Sequence, residues 1–488
     1  MLLRVLLSTI SLLMSFIVMA EPNSVIAERT NVVLIIGDDI SADFSAYGGS
    51  VQTPNIDSLA KNGVLFNNAY TTASSCSPSR SSMITGRYPH NHGAPELHMA
   101  LPAGQLVFPQ QLKDAGYYNV AAGKWHMGDV PRVAFDHIYD PGYRVDPTGA
   151  ADWLPSLQAR PKNKPFFMWF AAFDAHRPWE PDPLEKPHDA DEVVIPAGVA
   201  DTLISRQDLA SYYDEVRRFD RHVGDVIKEL KRQGIFENTI IIVTSDNGRP
   251  FPRSKTSLYE NGMKIPFIFH WPNGDIRSGE TSSSLVSTID IAPTILTALG
   301  LETPPQVQGL NILPIARQPN LQVRQLLFGE RNWHTQRGIG RMVRQGDYVY
   351  FKDFTPASYS FQMVNNADPS YAELLRLKAE GTLTPEQAEL FSTDRAVEML
   401  FNVVDDPKQL NNLANNIEHE QLLDHLRGKL VIWQQRTGDS IPPLEQLTVD
   451  RHDRKTFKRL YKEARPSKGV VPGQAAGATK INDPGPLK

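Results

Sequence analysis

With 488 residues, 41 % of them hydrophobic, the chain is long enough for a sizeable core and for two or three domains. Its formal net charge of −5 supplies no global basic field, which excludes recruitment of nucleic acid by overall charge. The single cysteine, Cys76, excludes any internal disulfide.

Residues 1–20 carry one basic residue, Arg4, then a run rich in Leu, Val, Ile and Met that ends in Val18-Met19-Ala20. Small residues at the two inspected positions predict a cleaved signal peptide, and therefore an exported, periplasmic or secreted protein. A retained anchor is the rival reading, although the apolar run is short for a span. No later segment is long and apolar enough to cross a bilayer, so no stable membrane insertion is expected.

Asn31 opens the folded part. Val32-Val33-Leu34-Ile35-Ile36 is a continuous apolar run, the mark of a strand buried on both faces, and it leads into Gly37-Asp38-Asp39. Thr53-Pro54 and Gly63 bracket a short helix, and Val64-Leu65-Phe66 leads towards Cys76. A helix near residues 109–115 precedes the strand Tyr118-Asn119-Val120-Ala121-Ala122, which ends at Gly123-Lys124-Trp125-His126. The strand from Phe166 to Ala172 ends at Asp174-Ala175-His176. Residues 207–233 show helical spacing, with Leu209, Tyr212, Val216 and Phe219 on one side. The strand Thr239-Ile240-Ile241-Ile242-Val243-Thr244 ends at Ser245-Asp246-Asn247-Gly248, and a strand at residues 266–270 and an apolar helix at 289–299 follow.

This alternation predicts an α/β fold with a mostly parallel sheet and helices on both faces, which binds ligands beyond the carboxyl ends of its strands. Four strands here end in chemically capable residues, which is the main reason to expect an active site. After about residue 320 the pattern changes, and Leu327-Phe328-Gly329 and Tyr348-Val349-Tyr350-Phe351 read as antiparallel strands packed by a helix near 418–436. The expected organisation is a catalytic domain over 31–320, an α+β subdomain over 321–465, and a disordered Gly-, Pro-, Lys- and Ala-rich tail over 466–488.

Around Cys76 the sequence reads Ser75-Cys76-Ser77-Pro78-Ser79-Arg80, then Met83-Ile84-Thr85-Gly86-Arg87. Pro78 suits a helix start and Gly86 a helix stop, which places the thiol beside a helix N-terminus that favours negative charge, with Arg80 about one turn in. A lone cysteine is by itself more often a small buried hydrophobe. In an exported chain, however, an unpaired one asks for an explanation. Asp38, Asp39, Asp246 and Asn247 offer four oxygen-bearing side chains and no soft ligand, a set suited to Ca²⁺ and less to Mg²⁺. Each pair alone would serve equally well as a turn or helix cap.

Cys76-Ser77-Pro78-Ser79-Arg80 with Thr85-Gly86-Arg87 resembles the signature of the type I, formylglycine-dependent sulfatases. The strings around Asp38-Asp39, Gly123-Lys124-Trp125-His126-Met127-Gly128, His176 and Ser245-Asp246-Asn247-Gly248 are similar to further motifs of that family, as is the segment from Lys255 to Gly262. The resemblance implies an alkaline-phosphatase-like α/β sandwich with a small antiparallel C-terminal subdomain. It also implies a nucleophile made from Cys76 by oxidation to Cα-formylglycine, carried out by a formylglycine-generating or sulfatase-maturing enzyme, and one bound divalent cation. Asp38, Asp39, Cys76, Asp246 and Asn247 are the implied metal ligands. Arg80, Lys124 and Lys255 are implied to bind sulfate, His176 to protonate the leaving group, and His126 and Asp246 to act on the formylglycine hydroxyls. Arg253 replaces Lys255 if the register shifts by two. His98 is a candidate for facing the substrate, and His334 and Arg331 for bordering its pocket, whereas His90 and His92 are expected to be structural.

Within the family the likeness is greatest to sulfamidases, the N-sulfoglucosamine sulfohydrolases, through Glu96-Leu97-His98, the run from Phe166 to Arg177, and Trp433-Gln434 with Thr437. It implies a sulfated saccharide as partner. An O-sulfatase acting on another polysaccharide, such as an algal one, a phosphonate monoester or phosphodiester hydrolase of the same fold, and a non-catalytic sugar-sulfate-binding protein are the alternatives.

Overall fold

A computed structural model describes residues 29–183, 185–355, 368–454, 458–461 and 469–488. The signal-peptide assignment over residues 1–20 lies outside them. No helix among the described residues is long and apolar enough to cross a membrane.

Eight strands form the central sheet: β1 (Asn31–Gly37), β2 (Val64–Tyr70), β3 (Tyr118–Gly123), β4 (His137–Tyr139), β5 (Phe166–Ala171), β6 (Thr239–Ser245), β7 (Phe267–His270) and β8 (Glu280–Ser287). Their order is β4-β3-β5-β1-β6-β7-β2-β8, and only β7 runs against the rest. The register of β1 pairs Leu34 with Trp169 on one side and with Ile242 on the other, so β1 sits at the centre. Its alternate residues enter two different cores. Val32, Leu34 and Ile36 join one and Val33 and Ile35 the other, which is why the run is apolar without interruption. The helix Leu203–Arg232 lays Leu209, Tyr212, Val216, Phe219 and Val223 into the second core. The helices Phe108–Asp114 and Ile291–Ala298 cover the first.

A second, antiparallel sheet has the order β12-β11-β10-β9, with β9 (Leu326–Arg331), β10 (Gly340–Gln345), β11 (Tyr348–Asp353) and β12 (Glu398–Asn402). One face packs on Tyr70, Leu258 and Met263 beside the large sheet, and the other holds the helix Glu420–Thr437 through Leu426, Leu430 and Trp433. The fold is thus the α/β sandwich with an added antiparallel unit that the sequence implied.

Residues 469–488 differ from the expected disordered tail. Buried Arg87 donates to Asn482 Oδ1 (2.9 Å), to the carbonyl of Ile481 (2.9 Å) and to that of Thr479 (3.2 Å). Asn91 donates to the carbonyl of Ala478 and Gln308 to that of Asp483, both at 2.8 Å. Small residues bring this backbone close to its neighbours: a Cβ on Gly485 would lie 2.4 Å from the Trp433 ring. Composition gave no sign of this, because the tail is held largely through its backbone carbonyls, with the donors supplied by Arg87, Asn91 and Gln308.

Candidate active site

Because β1, β3, β5 and β6 are parallel, their carboxyl ends share one edge of the sheet. Asp38 and Asp39 follow β1, Lys124 follows β3, His176 lies five residues beyond β5, and Asp246 and Asn247 follow β6. Cys76 is the first residue of the helix Cys76–Thr85, which Gly86 ends in the left-handed conformation at φ 67°. All ten residues of that helix are buried, serines included. Ser79 and Ser82 bond Thr71 and Thr72 at 2.8 Å, so this polar helix has its hydroxyl groups largely satisfied inside the protein.

The ligating atoms of Asp38, Asp39, Cys76 and Asp246 lie within 4.8 Å of one another, all buried. Cys76 Sγ is 3.6 Å from Asp38 Oδ1 and 3.8 Å from Asp39 Oδ1. Asn247 Nδ2 donates to Asp39 Oδ1 at 2.7 Å, while its Oδ1 is buried with no hydrogen-bond partner among the described residues. An orphaned amide oxygen next to three carboxylates is what a hard cation would satisfy, so these residues fit one.

Three cations close around the same carboxylates. Lys124 Nζ bonds Asp38 Oδ2, Lys255 Nζ lies 2.7 Å from both oxygens of Asp39, and Arg80 Nε donates to Asp246 Oδ2 at 2.8 Å. Burial alone would raise Asp38 and Asp39. Lys124 beside the first and Lys255 beside the second reverse this and hold both below the ordinary carboxylate range. Asp246 stays raised by burial and by Asp38, against the pull of Arg80. Burial pushes the Cys76 thiol up, so the unmodified side chain stays protonated. Burial, then Lys255 and Lys124, lower His176, whose Nδ1 contacts the Arg177 carbonyl at 2.5 Å. Three carboxylates thus balance three cations, and a divalent ion would turn the cluster positive, the sign that attracts an anionic substrate.

The outer candidates separate. His126 Nε2 meets His98 Nδ1 at 2.6 Å at the solvent rim. His334 is buried, with Nδ1 2.9 Å from Ser75 Oγ, and Arg331 pairs with Asp353 at 2.9 Å. Arg253 turns away to Glu389 and the Gln409 carbonyl, which leaves Lys255 as the residue at the cluster. His90 bonds Glu330 at 2.6 Å, and His92 bonds the Pro78 carbonyl at 3.1 Å and accepts from Ala94 N.

Sequence reasoning missed the supports behind His176. Arg218, on the long helix, grips buried Asp174 with two bonds of 2.9 and 2.6 Å. The Asp174 carbonyl accepts from Asp38 N, and Ala175 N donates to the Asp38 carbonyl. Arg177 is fixed to Asp208 by two bonds of 2.6 Å. Only the adjacency of Arg177 to His176 offered a local signal.

The sequence matches the family model described as Sulfatase over residues 30–301. The chain belongs to the sulfatase family. Among relatives of this sulfatase, human N-sulphoglucosamine sulphohydrolase is 30% identical over 461 residues, covering 85% of this chain and 91% of the relative. An ulvan-active sulfatase of Formosa agariphila is 29% identical, covering 84% and 76%. A structure solved in complex with its substrate D-glucosamine-2-N,6-O-disulfate superposes with a TM-score of 0.67 at 20% identity, covering 84% of this chain and 98% of that one. A phosphonate monoester hydrolase from Silicibacter pomeroyi shares the fold as well, with a TM-score of 0.65 at 18% identity over 85% and 98% of the two chains.

Proposed function

We propose that this sulfatase releases inorganic sulfate from a sulfated saccharide, with N-sulfoglucosamine of heparan-type glycans as substrate, by means of Cys76 converted to formylglycine and a bound Ca²⁺. The observation that carries the reading is the meeting of Cys76 with Asp38, Asp39 and Asp246 within 4.8 Å, ringed by Arg80, Lys124 and Lys255. The human sulphohydrolase supports the choice of substrate, since the match spans 91% of its length against 76% for the ulvan-active relative.

Asp38, Asp39, Asp246, the Asn247 amide oxygen and the side chain at position 76 would hold the cation, which supplies Lewis-acid polarisation of oxygen when bound. The hydrated aldehyde supplies two hydroxyls on one carbon, one to receive the sulfuryl group and one whose deprotonation releases sulfate. Arg80, Lys124 and Lys255 set fixed positive charge where sulfuryl oxygens gather, at no reorganisation cost during the reaction. His176 donates the proton that the departing nitrogen or oxygen needs, and the cations that lower its basicity make its protonated form a stronger acid. His126 accepts a proton when sulfate leaves. Export through the signal peptide and a transient encounter with a maturation enzyme belong to the same reading.

The test is release of free sulfate from N-sulfoglucosamine, 6-O-sulfated glucosamine, ulvan fragments and a phosphonate monoester, using protein whose residue 76 is read by peptide mass spectrometry. The proposal expects the aldehyde at that position and the highest kcat/KM on the sulfamate. A preference for ulvan fragments would move the assignment to an O-sulfatase, and a preference for the phosphonate ester would overturn sulfate transfer.

A further inference from the structure

We propose that His98 is a positioning residue that fixes the ring orientation and tautomer of His126 and does not bind substrate. The inference rests on the sulfohydrolase reading only for the base role of His126.

Its geometry is built from three sides. The backbone N of His98 donates to Ser77 Oγ at 2.8 Å, one residue after the nucleophile. Leu97 N donates to the Trp333 carbonyl at 3.1 Å, and Glu96 accepts from Thr448 at 2.7 Å, so the loop is also tied to segments from the C-terminal half. The ring of His98 then meets the ring of His126, Nδ1 to Nε2 at 2.6 Å, with centroids 4.7 Å apart. Both residues hold left-handed backbone, each at φ 62°, a conformation that a histidine keeps only where its surroundings enforce it. The contact therefore links the nucleophile's helix to His126 through one side chain.

In a histidine, the hydrogen bond made by one ring nitrogen decides which nitrogen carries the proton. The 2.6 Å contact holds one proton between the two rings. His126 Nδ1 is buried and has no partner among the described residues. For that nitrogen to keep a lone pair and accept a proton, Nε2 must carry hydrogen and donate it to His98 Nδ1. His98 in turn is neutral, accepts at Nδ1 and carries its hydrogen on Nε2. The surroundings favour neutral rings on both sides. The protein packed around His98, followed by Arg451, Lys124 and Lys255, pushes it down to about 4 although it remains open to solvent, and burial and Lys124 hold His126 well below the ordinary imidazole range.

Two variants test the assignment in calcium-loaded protein with the aldehyde verified. His98→Asn offers an amide group where Nδ1 stood and tolerates left-handed backbone, whereas His98→Gly keeps the backbone and deletes the ring. With an aryl sulfate as probe, His98→Gly is expected to lower kcat roughly 10–100-fold with KM within about twofold, and His98→Asn to stay within about threefold of the parent. Long-range ¹H–¹⁵N spectra of histidine-labelled protein should show His126 protonated at Nε2 in the parent and in His98→Asn, and a mixture of tautomers in His98→Gly. A tenfold rise in KM at unchanged kcat would make His98 a substrate contact and overturn the proposal, as would equal behaviour of the two variants. A parent that releases no sulfate would refute the sulfohydrolase reading, while the spectra would still decide the tautomer.

Discussion

Arg80 Nε donates to Asp246 Oδ2 at 2.8 Å with both side chains wholly buried, and Arg80 Nη1 donates to the Lys124 carbonyl at 3.0 Å. One guanidinium thus joins the ends of β3 and β6 to the cysteine helix. A lysine keeps the charge but cannot make both bonds. Arg80→Lys is expected to lose about 10²–10³-fold in kcat/KM, or roughly 3–4 kcal/mol of transition-state stabilisation. Steady-state kinetics and a melting curve check it. An active variant would remove Arg80 from the sulfate-binding set.

Cys76→Ala should abolish turnover and leave the fold standing. The side chain is only 1 % exposed, yet it meets carboxylate oxygens at 3.6 and 3.8 Å and contributes little apolar packing. A loss of no more than about 2 kcal/mol is expected, the low end for a large-to-small core change. Urea unfolding measures it, and global unfolding of the variant would favour a purely structural thiol.

Chelation should cost both activity and stability, with Ca²⁺ restoring them better than Mg²⁺. An ion present at a hundred times its dissociation constant stabilises the native state by about 2.7 kcal/mol. The unpartnered Asn247 Oδ1 gives this a mutational form. Asn247→Ala should lower the melting temperature in EDTA, because Asp39 and the Gly248 carbonyl lose their buried amide donor, and should in addition shrink the Ca²⁺-dependent rise above that baseline. An identical Ca²⁺ response in both proteins would take Asn247 out of the ligand set.

Acid should destabilise the protein through a buried histidine that cannot accept a second proton in place. His92 is buried, its Nε2 bonds the Pro78 carbonyl and its Nδ1 accepts from Ala94 N, so only the neutral ring fits. Burial lowers it to about 3. Since the folded form resists protonation, the full contribution is present above the unfolded value near 6.5 and is lost as pH falls towards 3. From pH 7 to pH 5 this group alone removes about 2 kcal/mol. Denaturant titrations at the two pH values measure the slope, and His92→Asn should flatten it.

Much of the fold was legible because its strands announce themselves. β1, β5 and β6 each hold an unbroken apolar run, at residues 32–36, 166–171 and 240–243, since each feeds two cores. β8 was not legible, because Glu280-Thr281-Ser282-Ser283-Ser284 is polar and lies at the sheet edge with Glu280, Thr281 and Ser283 exposed. β10 was hidden by Arg341 and Arg344, which look like surface residues but pair inside with Asp439 and Glu260. In the site, the strand-end residues could be placed because parallel strands bring their ends together. The grip of Arg218 on Asp174 spans 44 residues and the Ser75–His334 contact 259, and no local pattern encodes either.

Arg87, the residue after Gly86, finds one acceptor in the Gln306 carbonyl and three more 392 to 395 positions further along the chain. At ordinary rates of translation the ribosome takes roughly 20–80 s to cover that distance. The clasp behind the cysteine helix therefore closes late in biosynthesis. On the proposed chemistry, an oxidising enzyme has that interval to reach a sulfur atom that the finished molecule shields.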